Sequence, residues 1–526
     1  MKRGKTMLWN TILLTATAFL MRTVGMMFQV YLSKKIGASG IGLFQLIMSV
    51  SMLSTTFALS GIRFATTRLV SEELGRGSSE GARTAVKKCL LYASFFGTAA
   101  MLILWYGART IGSEWIGDAR TVLSLRILSL SLPAFSLSAV LAGYFTAVSR
   151  VIKSSAVSVI EQLVRISVIV AALSLGRNLP LERACAVIVT GGCVGEIVSF
   201  LLLFALYRSD VRKIPSGGKA QDGITKRMFS IAAPLALTAY ARTALSTVQN
   251  LLVPRGLRKY GSSPEKALAD YGIIHGMVFP VITFPSAFFY SLAELLVPEL
   301  TDAQVKGNTS AIASLVNKTL RLCFLFSLGV TAVLFKFSNG LGLAIYQNPE
   351  VGGYIKILSL LMPIMYLDTV TDGILRGLGE QLHVMKINII DSVVSVILVY
   401  LLLPKYAVAG YLFMIIFTEV FNFGFGIWRL HRLVKIKVSL PRIFVPVFCA
   451  FGSVASGTAL LRLVRLPLNG SASSVTLHII VSFILYAALL WILKCVDGDD
   501  AKWLKDMLGI TKKSDQGALN TKRNRV

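Results

Sequence analysis

Of the 526 residues, 54% are hydrophobic and only 15% are charged, and the mean hydropathy is +0.68. Soluble domains carry roughly 25% charged residues, so composition excludes an ordinary soluble protein and leaves a polytopic membrane chain. The net charge of +28 would suggest nucleic acid for a soluble domain; here it reads as a bias of basic residues toward one membrane face plus a basic tail, and no nucleic-acid partner is expected.

A window of about 19 residues finds fourteen apolar segments, beginning near residues 8, 41, 89, 122, 154, 184, 228, 271, 319, 355, 386, 409, 443 and 474, so an all-α fold with fourteen transmembrane helices is expected. The first opens with "MKRGK" and an apolar run to Ala16-Thr17-Ala18, the outline of a signal peptide. Cleavage there would leave a stub, so the segment is read as an uncut span. It carries Arg22 near its middle. A charge at that depth costs about 2.5–3.5 kcal/mol on insertion scales, so the guanidinium needs a partner, a wet cavity or a ligand. An ion pair with Glu294 or Asp372 is the structural alternative.

The second span ends in "SGIRFATTRLVSEELGRG", which puts Arg63 and Arg68 where a headgroup would enter, or where an arginine simply snorkels. Span five holds Glu161, a further candidate for cation coupling, one turn before its natural ion-pair partner Arg165. Span seven, "LALTAYARTALSTVQNLL", holds Arg242, and Arg255 follows at its outer end. Pro133, Pro234, Pro280, Pro285 and Pro363 fall inside spans and are candidate hinges. Of the four histidines, only His275 sits in a span where titration would matter. Span eleven sets Asn388 and Asp391 three residues apart on one helix face, a carboxylate and an amide oxygen that suit Na⁺ or a relayed proton. The six cysteines are scattered without a C-x-x-C, which argues against disulfides and zinc and for small core hydrophobes. No other cofactor is expected.

The chain repeats itself. "RILSLSLPAFSLSAVLAG" in span four meets "KILSLLMPIMYLDTVTDG" in span ten at an offset of 230, with eight identities in the 17 positions from Ile127/Ile357 to Gly143/Gly373, Pro133/Pro363 among them. The same offset pairs Lys88 with Lys318 and Glu161 with Asp391; an offset of 220 pairs Arg22-Thr23 with Arg242-Thr243, and 223 pairs Glu196 with Glu419. The expected organisation is an N-lobe (1–215, spans one to six), a C-lobe (216–432, spans seven to twelve), two extra spans (433–496) and a basic tail (497–526) read as disordered and cytoplasmic. Six spans per repeat make the lobes parallel. Of the 54 Lys and Arg, 33 fall at the N-terminus, after even spans and in the tail, 15 after odd spans and 6 within spans, which places both termini in the cytoplasm.

Two like lobes around a central cavity argue for transport by alternating access. The paired lobes, "GASGIGLFQLIMSVSML" entering span two, and "SGIRFATTRLVSEELGRG" leaving it resemble the polysaccharide-transporter/stage V sporulation protein B family of the multidrug/oligosaccharidyl-lipid/polysaccharide flippase superfamily, and are similar to flippases of the MurJ type. The resemblance covers almost the whole chain. It implies export of undecaprenyl-pyrophosphate-linked sugars such as lipid II across the cytoplasmic membrane, in cell-wall synthesis or sporulation, with cell-envelope synthesis proteins as partners. It also implies that Arg22, Arg63 and Arg242 hold the pyrophosphate, with Arg255 a weaker match, and that spans thirteen and fourteen line a groove for the polyprenyl tail. Sodium-coupled members carry an acid in span seven, and this chain has none there.

From the residues alone, the repeat-equivalent Arg22 and Arg242 would face each other across one cavity, where two guanidinium forks suit phosphate oxygens. A drug exporter of the same superfamily is the main rival; it would need carboxylates in the N-lobe cavity, and span one offers none. An enzyme would need an extramembrane domain, and no connection exceeds about 20 residues. A scaffold of a wall-synthesis complex would not require mid-membrane arginines. Orientation is directly testable: a cysteine placed in the 254–270 connection is expected to react with an impermeant reagent in intact cells, and one in the 209–226 connection to stay unlabelled. The reverse pattern would invert the topology.

Overall fold

The computed structural model describes residues 2–176, 179–212, 217, 221–436, 441–463 and 472–496. The basic tail expected to be disordered lies outside them. Among the described residues the regular structure is entirely helical. The first two expected spans form α1 (Lys2–Leu59), broken at Gly37, whose φ of 71° interrupts the helix just before the second span begins. α2 (Ile62–Gly75) continues that span past Gly61. At Gly61 φ is 72° and an added Cβ would stand 2.6 Å from the Ala232 carbonyl oxygen, so both backbone conformation and space demand glycine.

α3 (Ser79–Thr110), α4 (Val122–Ala147), α5 (Val151–Leu175), α6 (Leu181–Arg212) and α7 (Ile224–Tyr260) follow in order. The eighth span is fragmented. It runs through α8 (Pro264–Gly272), a π-helical turn (Ile273–Val278), the short α9 (Phe279–Thr283) and α10 (Ala287–Val305), with Pro285 in the last gap. α11 (Thr309–Tyr346) precedes α12 (Pro349–Ser359) and α13 (Met362–Gly377), which bend by 59° where Pro363 enters. Its repeat mate Pro133 leaves α4 continuous, so only the C-terminal copy of this proline marks a break. α14 (Gln381–Leu433) is broken at Ala407, and α15 (Pro441–Leu463) and α16 (Ala472–Ile492) complete the described chain.

Ten helical segments among the described residues are long and apolar enough to cross a membrane, or eleven when the bent α12–α13 pair counts as one. The segments broken at Gly37 and Ala407 each contain two of the expected span starts, and the fragmented eighth span is not among the segments found, so eleven stand where hydropathy gives fourteen.

The helices group into two compact units. The first comprises residues 1–22, 280–387 and 419–526, and the second residues 23–279 and 388–418. The core of the first is built by α11, α15 and α16, with Leu325, Phe337, Cys449, Val454 and Tyr486 buried together. The Tyr486 hydroxyl donates to the Leu325 carbonyl at 2.7 Å, so the two helices outside the repeats are packed onto α11 by a satisfied polar contact as well as by apolar area. The core of the second unit lies among α2, α3, α4 and the start of α7, around Leu69, Cys89, Tyr144, Phe145 and Met228. The described cysteines are all free, and five of the six are buried.

Inside each unit the repeats build the same contacts. A Cβ on Gly143 of α4 would lie 2.7 Å from the Arg63 carbonyl oxygen of α2, and one on Gly373 of α13 would lie 2.6 Å from Ala293 Cβ of α10. Thr67 donates to the Gly143 carbonyl at 3.0 Å, and Thr301 to the Gly377 carbonyl at 3.0 Å. The identity of Gly143 and Gly373 is thus a close-approach constraint between two helices. Overpacking of this kind costs about 1–3 kcal/mol. Gly143→Val and Gly373→Val are each expected to lower the thermal unfolding temperature in detergent, whereas a valine at Gly424, which has open space around it, should not.

Candidate functional site

The second unit contains a long antiparallel seam between the second span (α1 after its break, then α2) and α7. α7 presents Tyr240, Thr243, Thr247 and Asn250 at helical spacing, a polar stripe along one face of the helix. Each member finds a partner across the seam. Asn250 Nδ2 donates to Ser49 Oγ at 3.1 Å, and Thr247 Oγ1 donates to the Ser49 carbonyl at 3.1 Å. The hydroxyls of Thr56 and Thr243 lie 3.3 Å apart, and those of Ser60 and Tyr240 2.6 Å apart. As residue numbers rise on one helix they fall on the other, so the rungs keep a single antiparallel register.

The same register carries on to a charged cluster at the α2 end of the seam. Glu72 pairs with Arg227 and with Arg68, the latter at 3.0 Å. Glu73, only 1% exposed, accepts from Arg227 at 3.3 Å and from Arg76 at 3.5 Å. Gln221 Oε1 accepts from both Arg76 and Arg227. A carboxylate so deeply buried is sustained only by such pairing. Beside the cluster lies a cavity of about 510 Å³ lined by Arg68, Arg76, Arg227 and Glu72 on its polar side and by Phe64, Ile231, Pro234 and Leu235 on its apolar side. Three guanidinium groups around one space suit the several oxygens of a phosphate or pyrophosphate.

At its other end the seam gives way to backbone packing. A Cβ on Gly42 would stand 1.9 Å from the Leu268 carbonyl oxygen, and one on Gly272 would stand 2.2 Å from that of Ala38. α1 therefore closes directly on α8 with no side chain between them.

The sequence-derived residues are distributed as follows. Arg68 lines the cavity, while Arg63 is exposed on α2 one turn before it. Arg242 is exposed on α7 next to the Thr243 rung, and Arg255 is half-buried near the far end of the same helix. Glu161 pairs with Arg165. Asp391 is half-buried with Oδ1 lacking a hydrogen-bond partner among the described residues, and Asn388 is half-buried one turn before it. His275 is enclosed by the rings of Tyr271, Phe279 and Tyr411, at 4.7, 5.2 and 5.9 Å between centroids. Arg76, Arg227, Glu72 and Glu73 escaped sequence reasoning. Their signal was the polar stripe of α7, whose register points back to them.

Arg22 belongs to the first unit and has a backbone role there. α9 ends at Thr283, and a helix end leaves carbonyls without partners. Arg22 Nη2 donates to the Thr283 carbonyl at 2.6 Å, and the Tyr366 hydroxyl donates to that of Ile282 at 2.7 Å. Phe19 packs on Phe284 in the same gap, at 5.8 Å between centroids. The Thr283 carbonyl also accepts from Ser286 N at 3.2 Å and Ser286 Oγ at 2.7 Å, so the guanidinium adds a charged donor to a helix end that Ser286 already partners. Asp372, one alternative partner, lies 3.6 Å from Arg376 one turn on; the side chain of Glu294, the other, lies outside the described residues.

Comparison with known proteins places this geometry. Residues 7–259 match the family model described as polysaccharide biosynthesis protein, and residues 259–401 match the MatE model. The chain is similar to stage V sporulation protein B of Bacillus subtilis (strain 168), 23% identical over 76% of this chain and 78% of that one. It is also similar to lipid II flippase MurJ of the same organism, 23% identical over 74% and 76%. Among solved structures, its fold is like that of the lipid II flippase MurJ in an inward closed conformation, with a TM-score of 0.66 and 14% identity over 92% of this chain and 98% of the other. It is also like that of an inward-facing multidrug resistance MATE family transporter, with a TM-score of 0.58 and 13% identity over 80% and 98%.

A charge-assisted hydrogen bond is worth roughly 1.5–3 kcal/mol. Arg22→Ala is accordingly expected to destabilise the protein in a detergent melt by about that much, with Arg22→Lys in between. An unchanged melt together with lost transport would instead assign Arg22 to the ligand.

Proposed function

Because the chain belongs to the multidrug/oligosaccharidyl-lipid/polysaccharide flippase superfamily and is a multi-pass membrane transporter rather than an enzyme, we propose that it exports an undecaprenyl-pyrophosphate-linked sugar, of which lipid II is the model. The observation that carries this reading is the cavity with Arg68, Arg76 and Arg227 on one wall and Phe64, Ile231, Pro234 and Leu235 on the other. A pyrophosphate has enough oxygens to engage three guanidinium groups, and the apolar wall suits the first isoprene units. A lipophilic cation, the substrate of a drug exporter, would meet like charge there.

In this proposal Glu72 and Glu73 hold the cytoplasmic end of the seam shut by occupying Arg227. An arriving pyrophosphate competes for the same guanidinium groups, loosens the latch and lets the hydroxyl rungs part. Water replaces each rung's hydrogen bond, so opening the seam strands no polar group. Reclosure of the latch, coupled to parting of α1 from α8 at Gly42 and Gly272, would present the sugar to the other side. Arg63 and Arg242, both exposed in the same unit, are further contacts for the moving headgroup. Asn388 and Asp391 are the proposed site for Na⁺ or H⁺ coupling, on the strength of the unsatisfied Asp391 oxygen.

The test is a flippase assay in proteoliposomes with fluorescent lipid II, together with equilibrium binding of the same lipid. Arg68→Ala and Arg227→Ala are each expected to weaken binding about tenfold or more, whereas Glu72→Gln with Glu73→Gln retains binding because the cations remain. Asp391→Asn is expected to remove any Na⁺ or pH dependence of transport. Undiminished binding in both arginine variants would leave the cluster as a latch only and overturn the assigned substrate.

A further inference from the structure

Glu72 and Glu73 are neighbours in sequence, but the structure holds them differently. Glu73 is 1% exposed, and its carboxylate lies against the first turn of α3, where a Cβ on Gly81 would stand 2.1 Å from its Oε2. Any side chain there would push it aside. Ser78, the N-cap of α3, accepts from the Gly81 amide at 2.9 Å, and its own amide donates to the Glu73 carbonyl at 3.0 Å. The positive end of α3 therefore joins Arg76 and Arg227 in holding this carboxylate. Glu73 is a fixed part of the wall.

Glu72 is placed differently. It lines the arginine cavity together with Arg68, Arg76 and Arg227, and it pairs with two of them, with Arg68 at 3.0 Å and with Arg227. Its carboxylate stands where the oxygens of a ligand would have to sit. At 33% exposure it has water as an alternative partner, so displacing it strands no charge.

The charges then decide which anion can take its place. Three guanidinium groups less the fixed Glu73 leave two positive charges at the cavity, and Glu72 cancels one of them. The phosphodiester of an anionic phospholipid carries one negative charge. It would exchange like for like, and against a competitor whose tether gives it a high effective concentration. The pyrophosphate of a lipid-linked sugar carries two, matches both positive charges and gains where the phospholipid does not.

We infer that Glu72 is a specificity-determining residue, a resident carboxylate that keeps the phospholipids of the surrounding bilayer out of the arginine cavity and yields to a pyrophosphate. The favoured ligand rests on the proposed function, whereas the exclusion of phospholipid rests on the geometry of Glu72 alone. Specificity is gained here by a penalty on the wrong ligand, which is present in great excess.

Native mass spectrometry of the delipidated full-length protein, titrated with phosphatidylglycerol, tests the exclusion. Glu72→Gln is expected to bind phosphatidylglycerol about tenfold more tightly than the wild-type protein does. Adding Arg227→Ala is expected to cancel the gain, and Glu72→Asp, which keeps the charge, to show none. Glu72→Ala removes the same charge and serves if the glutamine variant folds poorly. No gain in either neutral variant, or a gain that survives Arg227→Ala, would overturn the inference. Lipid II added to the loaded Glu72→Gln protein then separates the two readings: displacement of the phosphatidylglycerol supports both, and failure to displace it leaves the exclusion standing while the assigned substrate falls.

Discussion

A polar group inside hydrocarbon must find its partner within the protein, and in the second unit that demand is met by the seam between the second span and α7. Ser49, Thr56 and Ser60 on one helix answer Asn250, Thr247, Thr243 and Tyr240 on the other. Rungs made of hydroxyls and amides are strong enough to set register and weak enough to exchange with water. The seam's two ends are built differently: paired carboxylates and guanidinium groups at Glu72, Glu73 and Arg227, and backbone contact at Gly42 and Gly272. The seam is thus a run of hydrogen-bonded rungs set between a charged end and a glycine end.

The internal duplication shows which contacts the fold needs and which it is free to vary. Gly143 and Gly373 recur as the same residue because any side chain would collide with the neighbouring helix. An ion pair between the loop after the fourth or tenth span and the end of the sixth or twelfth also recurs, but with its signs exchanged. In the N-terminal copy Asp210, 3% exposed, accepts from Arg150 and, at 2.8 Å, from Lys153. In the C-terminal copy Arg429 donates to Glu380 at 2.6 and 3.1 Å and holds its carboxyl below the usual carboxylate range. Steric constraints preserve residue identity, whereas an electrostatic contact preserves only the product of the two charges.

Arg22 illustrates how one residue type admits several readings until its surroundings are known. A mid-membrane guanidinium implies an anion, an acid or a cavity from sequence alone, and the structure supplies a fourth partner: the carbonyl that a broken helix leaves behind at Thr283. Pro280 and Pro285 lie where the eighth span fragments, and Arg22 joins Ser286 as a donor to the Thr283 carbonyl at one fragment's end. The break costs less because the donor that caps it is charged and carries five N–H groups.

Hydropathy, the proline and glycine punctuation and the motifs of the second span by themselves determined the all-helical membrane fold and the kinship with flippases. Each of these depends on local composition or on similarity along the chain, which bilayer thickness and backbone hydrogen bonding translate directly into helices. Only the tertiary structure decided what the polar stripe of α7 faces, that Arg68 shares a cavity with Arg76 and Arg227, and that Arg22 donates to a helix end. Those pairings join residues between 8 and 261 positions apart, and nothing in a single sequence encodes which distant helix faces will be brought into contact until the side chains are packed.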